Sequence, residues 1–421
     1  MQFNIYNLKF TMELCDMEGL ARAREIYQDR TCRVRELKAE GKKIIGYLCI
    51  YPVLEIMTAL DLVPYRIFGD MKEPITKADA CLPTVVCPFI RSALDLGLKG
   101  KYDFLDGVVF SHVCDVAEKT AHIWRTYLNP PYSHFIDTPH TTHKASQEQH
   151  KEELKDFKKT LEAFSGKELS SKMLFSAIEA HNQQRALVRE LYELRKPDPP
   201  LISGTETLQV MSALMSIPLE EGNILLRDVI SEIKERKDGP QKKPVRLLIW
   251  GSIIDDLPLI SMIEDMGANL VMDDTCVGSR FYFSDVELTP DPLDGLAYRY
   301  LVELKCPRTF KEATSGETLS TGSHQPVSAG QTVPEVGRKD HLTDLRNRFS
   351  YLKDYAQEWN VQGVILQSLK YCDIHGYEVP GLRDYFDSLD LPNTYLEHDY
   401  SEGGLAALRT RAQAFLEIIR L

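Results

Sequence analysis

Two Cys-Asp pairs carry the clearest chemical signal in this chain. Leu105 to Asp115 reads LDGVVFSHVCD: Asp-Gly punctuation, an apolar Val108-Val109-Phe110 run, then Ser-His-Val-Cys-Asp. Gly363 to Asp373, GVILQSLKYCD, repeats the design. A short apolar run bounded by a turn reads as a buried strand of a parallel sheet. In open α/β sheets, ligands sit outside the carboxyl ends of the strands. Cys114 and Cys372 stand at such ends. Cys87 comes just before Pro88 and a helical period through Ile90, Ala93, Leu94 and Leu96. The free N–H groups and the dipole of a helix start favour an anionic centre there. Thiolates ligate metals, but buried thiols at element ends are also common core residues. From the residues alone both readings stand.

The other candidates are weaker. The chain has nine cysteines, an odd count, and no C-x-x-C, so a disulfide framework and the usual zinc-ribbon and thioredoxin spacings are disfavoured. Any metal site must be assembled from distant segments. Cys276 and Cys306 lie near carboxyl ends in the second half and read as packing. Cys15, Cys32, Cys49 and Cys81 read as structural. His112 can move a proton or be a satisfied polar residue. Glu55, in the first helix after the first strand, is an acid/base candidate at the cleft edge or a solvated helix residue. Asp115 reads as a helix cap. Arg409 and Arg411 suit a phosphate or an ordinary surface helix. Gly251-Ser252 follows a strand, but without G-x-G-x-x-G it does not indicate a dinucleotide.

The elements that must position these residues alternate strand and helix. Residues 12–40 read as one long charged helix stopped by Gly41. KKIIGYLCIY and VPYRIFG are strands flanking a helix that starts at Pro52, a βαβ unit that makes a parallel sheet. The helix after Cys87, the strand ending at Cys114, a helix to about Leu128 and the strand SHFIDTP follow. Residues 146–195 are helical and strongly charged, broken at Gly166 and restarted at an N-cap, Ser170. Helix continues to about Lys237, and KDGPQKKP is a linker. VRLLIWGS, a helix at 257–266, ANLVMDDT, a helix around Leu293–Leu304, a helix at 342–359, GVILQSLKYCD, NTYLEHDY and a helix at 404–421 form the second half. The fold class is thus α/β, with two Rossmann-like parallel-sheet domains and a helical segment between them. The domains are 1–145 with a leading helix, 146–243 helical, and 244–421. The last contains a Ser/Thr/Gly-rich insertion at about 312–340, expected to be exposed and mobile.

At 421 residues the chain is long enough for two or three domains, and 43% apolar with 27% charged residues is a globular composition. A net charge of −12 argues against a nucleic-acid partner. No apolar run reaches the ~20 residues that span a bilayer. The amino terminus does not read as a signal peptide. A cytoplasmic location is expected.

Taken together, GYLCIYPVLEI with LVPYRI, CPFIRSALD, YDFLDGVVFSHVCD, LISGTE, VRLLIWGS, DDTCVGSR, GVILQSLKYCD and LRTRAQAFLE resemble the 2-hydroxyacyl-CoA dehydratase family, which includes benzoyl-CoA reductase subunits. The resemblance implies a heterodimer of two homologous subunits. It also implies a 4Fe-4S cluster held by Cys87, Cys114 and Cys372 in the interdomain cleft, with one iron open. The implied activity is loss of water from an (R)-2-hydroxyacyl-CoA through a ketyl radical. The electron would come from an ATP-dependent iron-sulfur activator protein, and this chain has no P-loop of its own. A benzoyl-CoA reductase-type subunit and a non-catalytic electron-transfer partner subunit are the alternatives. The chain departs from the family's pattern at Asp61, where many relatives have Gly, and at Ile50, where some have Ser.

Overall fold

The computed structural model describes residues 18–311 and 338–420. Two helices, α1 (Gly19–Gln28) and α2 (Cys32–Ala39), precede the first strand. The expected single helix over 12–40 is therefore divided where it is described, and residues 12–17 lie outside the described residues. The break is local chemistry. The Asp29 carboxylate accepts from the Thr31 amide at 3.0 Å and the Thr31 hydroxyl at 2.8 Å, competing with the helical ladder.

The first sheet follows. Its elements in order are β1 (Lys43–Tyr47), α3 (Leu54–Ala59), β2 (Leu62–Arg66), α4 (Pro88–Leu98), β3 (Gly107–Ser111), α5 (Asp115–Tyr127) and β4 (Tyr132–Ile136). All strands are parallel, in the order β2-β1-β3-β4. Asp61 opens β2 from a left-handed backbone, φ 60°, which explains why Gly suits that position. Four helices then run without a strand: α6 (Lys144–Ser165), α7 (Ser171–Glu193), α8 (Gly204–Leu214) and α9 (Leu219–Glu235). Gly166 ends α6 with φ 73°, and the Ser170 side chain caps α7 by accepting from the Met173 amide at 3.3 Å. Ser203 and Glu206 form a capping box on α8.

The second sheet repeats the first. It comprises β5 (Val245–Gly251), α10 (Pro258–Asp265), β6 (Ala268–Asp274), α11 (Ser279–Tyr282), α12 (Pro292–Tyr298), α13 (Arg338–Glu358), β7 (Gly363–Leu369), α14 (Asp373–Asp387), β8 (Asn393–His398) and α15 (Leu405–Arg420). Its order, β6-β5-β7-β8, is again parallel. The expected helix over Leu293–Leu304 is shorter and passes into a π-turn at Arg299–Glu303. The expected insertion at 312–340 lies outside the described residues, save its last three, which begin α13. No described helix is long and apolar enough to cross a membrane.

Strands β3, β5 and β7 are buried along their whole length, so their apolar residues stand in succession (Val108 to Phe110, Leu247 to Trp250, Val364 to Leu366) rather than alternating with polar ones. Each sheet changes winding direction between its first and third strands, the position where α/β folds open a crevice. Polar contacts tie the two sheets' loops together. The Gly69 amide and the Tyr400 hydroxyl both donate to the buried Asp255 carboxylate, at 3.1 and 2.9 Å. A Cβ at position 69 would run into the Tyr400 hydroxyl, so a larger residue there would require the Tyr400 ring to move.

Candidate functional site

The loops beyond the carboxyl ends of the strands of both sheets meet in one cleft of about 470 Å³. Cys87, Cys114 and Cys372 all line it. Each occupies the same local position, the residue before the first turn of a helix: Cys87 before α4, Cys114 before α5 and Cys372 before α14. Asp115, expected as a cap, is instead the first residue inside its helix.

The electrostatics of the three thiols follow from that position. Burial pushes Cys87 up to about 12, while the amides of Ile90 and Phe89 pull in the opposite direction. Burial likewise raises Cys114 against the amides of Ala117 and Val116, and it raises Cys372 strongly against the amide of His375. Such thiols keep their protons until a cation takes their place. The helix amides then stabilise the resulting thiolates. Among the described residues, no three His, Cys, Asp or Glu side chains converge as a single bound ion requires. A cubic iron-sulfur cluster makes a different demand, since it takes each thiolate at a separate corner. Cys87, Cys114 and Cys372 are the residues of the cleft that would offer it thiolates from helix starts.

Cys276 and Cys306, read from sequence as packing, also line the cleft, and so does Cys49, read as structural. Cys49 sits just beyond β1 with φ 72°, a strained backbone for a side chain of its kind. Leu48, Phe89, Ile90, Val113 and Ile253 make much of the wall apolar, and it carries two guanidinium groups, Arg66 and Arg308, and three carboxylates, Asp115, Asp373 and Glu378. Arg308 stacks over the Tyr51 ring at 5.0 Å and donates to the Pro139 and Thr138 carbonyls.

The remaining sequence candidates lie elsewhere. Glu55 is 0% exposed and is not among the lining residues. Arg185 donates to one of its oxygens, and the Tyr300 hydroxyl, from the π-turn, donates to the other at 2.8 Å. Burial would raise its pKa, but Arg185, His181 and Arg299 outweigh that and hold it at about 2. This is a buried ion pair, and the structure does not support Glu55 as an acid or base of the cleft. His112 hydrogen-bonds Asp137 at 2.8 Å and is not among the lining residues; its neighbour His140, with ring centroids 4.8 Å apart, lines the cleft instead. Arg409 and Arg411 are exposed on α15, outside the cleft.

Sequence reasoning missed His375, His140, Arg66 and Arg308. His375 had a readable signal. It lies three residues after Cys372 at the start of the same helix, and hence on the same face. Arg66 and Arg308 gave none, because their place depends on how the two sheets meet.

A family model described as 2-hydroxyglutaryl-CoA dehydratase, D-component, matches residues 49–320 and 339–419. The chain is 25% identical to one of the subunits of benzoyl-CoA reductase from Thauera aromatica, covering 96% of this chain and 98% of that one. It is 24% identical to the (R)-phenyllactyl-CoA dehydratase beta subunit of Clostridium sporogenes, covering 92% and 94%. With the beta subunit of (R)-2-hydroxyglutaryl-CoA dehydratase from Acidaminococcus fermentans it shares 23% identity, covering 90% and 93%.

Proposed function

Because the chain belongs to the 2-hydroxyglutaryl-CoA dehydratase D-component family, we propose that it is one subunit of an oxygen-sensitive 4Fe-4S dehydratase. The enzyme eliminates water from an (R)-2-hydroxyacyl-CoA through a ketyl radical. The observation that carries this reading is the meeting of Cys87, Cys114 and Cys372, from three helix starts and both sheets, in one cleft.

Three cysteine ligands leave one iron of a cluster without a protein ligand. When bound, the cluster supplies that iron as a Lewis acid and a route for a single electron. The chain's own residues do the rest. The starts of α4, α5 and α14 lower the cost of holding a negative group. The apolar wall around Phe89, Ile90 and Val113 keeps water from a reactive radical. Arg66 and Arg308 present fixed positive charge where a thioester oxygen gains electron density. Arg409 and Arg411, exposed on the last helix, are candidates to meet a coenzyme A phosphate outside the cleft.

The proposed partners are a homologous second subunit and an ATP-hydrolysing iron-sulfur activator that delivers the electron. The Thauera relative supports a second reading, a benzoyl-CoA reductase-type subunit. An anaerobic assay of the purified chain with its second subunit, activator, ATP and dithionite separates the two. Turnover of (R)-2-hydroxyacyl-CoAs is expected. Turnover of benzoyl-CoA alone selects the second reading. Electron uptake without turnover of either reduces the chain to an electron-transfer partner.

A further inference from the structure

A buried relay reaches Cys372 from the end of β6. The Asp274 carboxylate accepts from Arg280 twice, from Nε at 3.1 Å and from Nη2 at 3.1 Å, and its backbone oxygen accepts from Nη2 at 2.7 Å. The Tyr351 hydroxyl donates to the same carboxylate at 2.8 Å. The guanidinium plane is therefore fixed. Its remaining nitrogen, Nη1, lies 2.8 Å from Nε2 of His375 and 3.7 Å from Sγ of Cys276. Arginine offers donors only. Nε2 of His375 must then accept, which makes the ring neutral and puts its proton on Nδ1. That Nδ1 is 3.4 Å from Sγ of Cys372. Trp250 lies against the imidazole, with centroids 5.3 Å apart, and a turned ring would lose both bonds.

We propose that His375 is a positioning residue for Cys372: Arg280 fixes its tautomer, and its Nδ1–H donates to the sulfur. The proposal rests on the reading of Cys372 as a cluster ligand. It adds a role for two residues that this reading does not otherwise use. A hydrogen bond to a ligating sulfur withdraws charge from it and makes a cluster easier to reduce. The relay thus sets how readily the site accepts the electron on which the chemistry depends.

Two measurements test this, and the first needs no iron. The full apo chain is labelled with ¹⁵N-histidine. His375 is assigned by the signal lost in His375→Phe or, should that chain not fold, in His375→Gln. A pyridine-like Nε2 and a protonated Nδ1 are expected. A protonated Nε2 overturns the proposal. In the second, the chain is reconstituted anaerobically and titrated for its midpoint potential by EPR. His375→Phe is expected to keep its iron and to move to a more negative midpoint. An unchanged midpoint at full iron content reduces His375 to core packing. Wild-type chain that takes up no iron, with the Nδ1 tautomer intact, overturns the ligand reading rather than the tautomer.

Discussion

Cys114 and Cys372 occupy equivalent positions in two repeated sheets. Cys114 precedes the helix that leaves β3, which lies between β1 and β4, and Cys372 precedes the helix that leaves β7, between β5 and β8. The repeat brings two thiols to one cleft from opposite sheets. Cys87 breaks the symmetry. It heads α4, the helix before β3, rather than a helix that leaves a central strand. The duplicated architecture thus supplies two thiols at helix starts, and the start of α4 adds the third.

The proposed ligand set makes a selective prediction about the other cleft thiols. Cys276→Ser and Cys306→Ser should each retain iron after anaerobic reconstitution, because neither stands in the helix-start position shared by the three. Colorimetric iron analysis of the folded variants checks this. Loss of iron from either would bring it into the ligand set.

Glu55 should behave as a structural residue. Glu55→Leu leaves the Arg185 charge buried without its partner, at a cost of about 3 to 5 kcal/mol. Urea denaturation reads that loss. A variant of wild-type stability that has lost its activity would restore Glu55 to the chemistry.

Acid should unfold the protein partly through its buried histidines. Burial lowers His150 and His181 to about 4, from 6.5. Both stay neutral in the folded chain while the unfolded chain takes up protons. Their contribution is complete above pH 6.5 and is lost as pH falls toward 4, by at most about 1.4 kcal/mol per pH unit for each. Neither ring nitrogen of His150 has a hydrogen-bond partner among the described residues. His150→Leu should therefore flatten the slope of stability against pH. The unfolding free energy measured at pH 5 and at pH 7 gives that slope, and an unchanged slope would show that His150 titrates normally.

Much of the fold was legible because the strands are apolar runs punctuated by Gly, Pro and Asp, and buried parallel strands leave that signature at β3, β5 and β7. The cleft was legible at Cys87, Cys114 and Cys372 for the same reason: the residue after a strand, or before a proline-led helix, has a predictable place. Glu55 was misplaced because its partner Arg185 lies 130 residues away, and nothing near Glu55 shows whether α3 turns that carboxylate toward the cleft or into the core. Cys49 lines the cleft from a left-handed backbone that its sequence neighbours do not announce. The division of the leading helix at Asp29 needed knowledge that its side chain would fold back onto Thr31.

The central claim, that Cys87, Cys114 and Cys372 hold an iron-sulfur cluster, is tested most directly by the metal itself. Iron and acid-labile sulfide are measured in the anaerobically purified wild-type chain and in the Cys87→Ala/Cys114→Ala/Cys372→Ala variant, with circular dichroism confirming that both are folded. About four irons and four sulfides per chain are predicted for the wild type and almost none for the variant. A folded variant with its full complement of iron would contradict the claim.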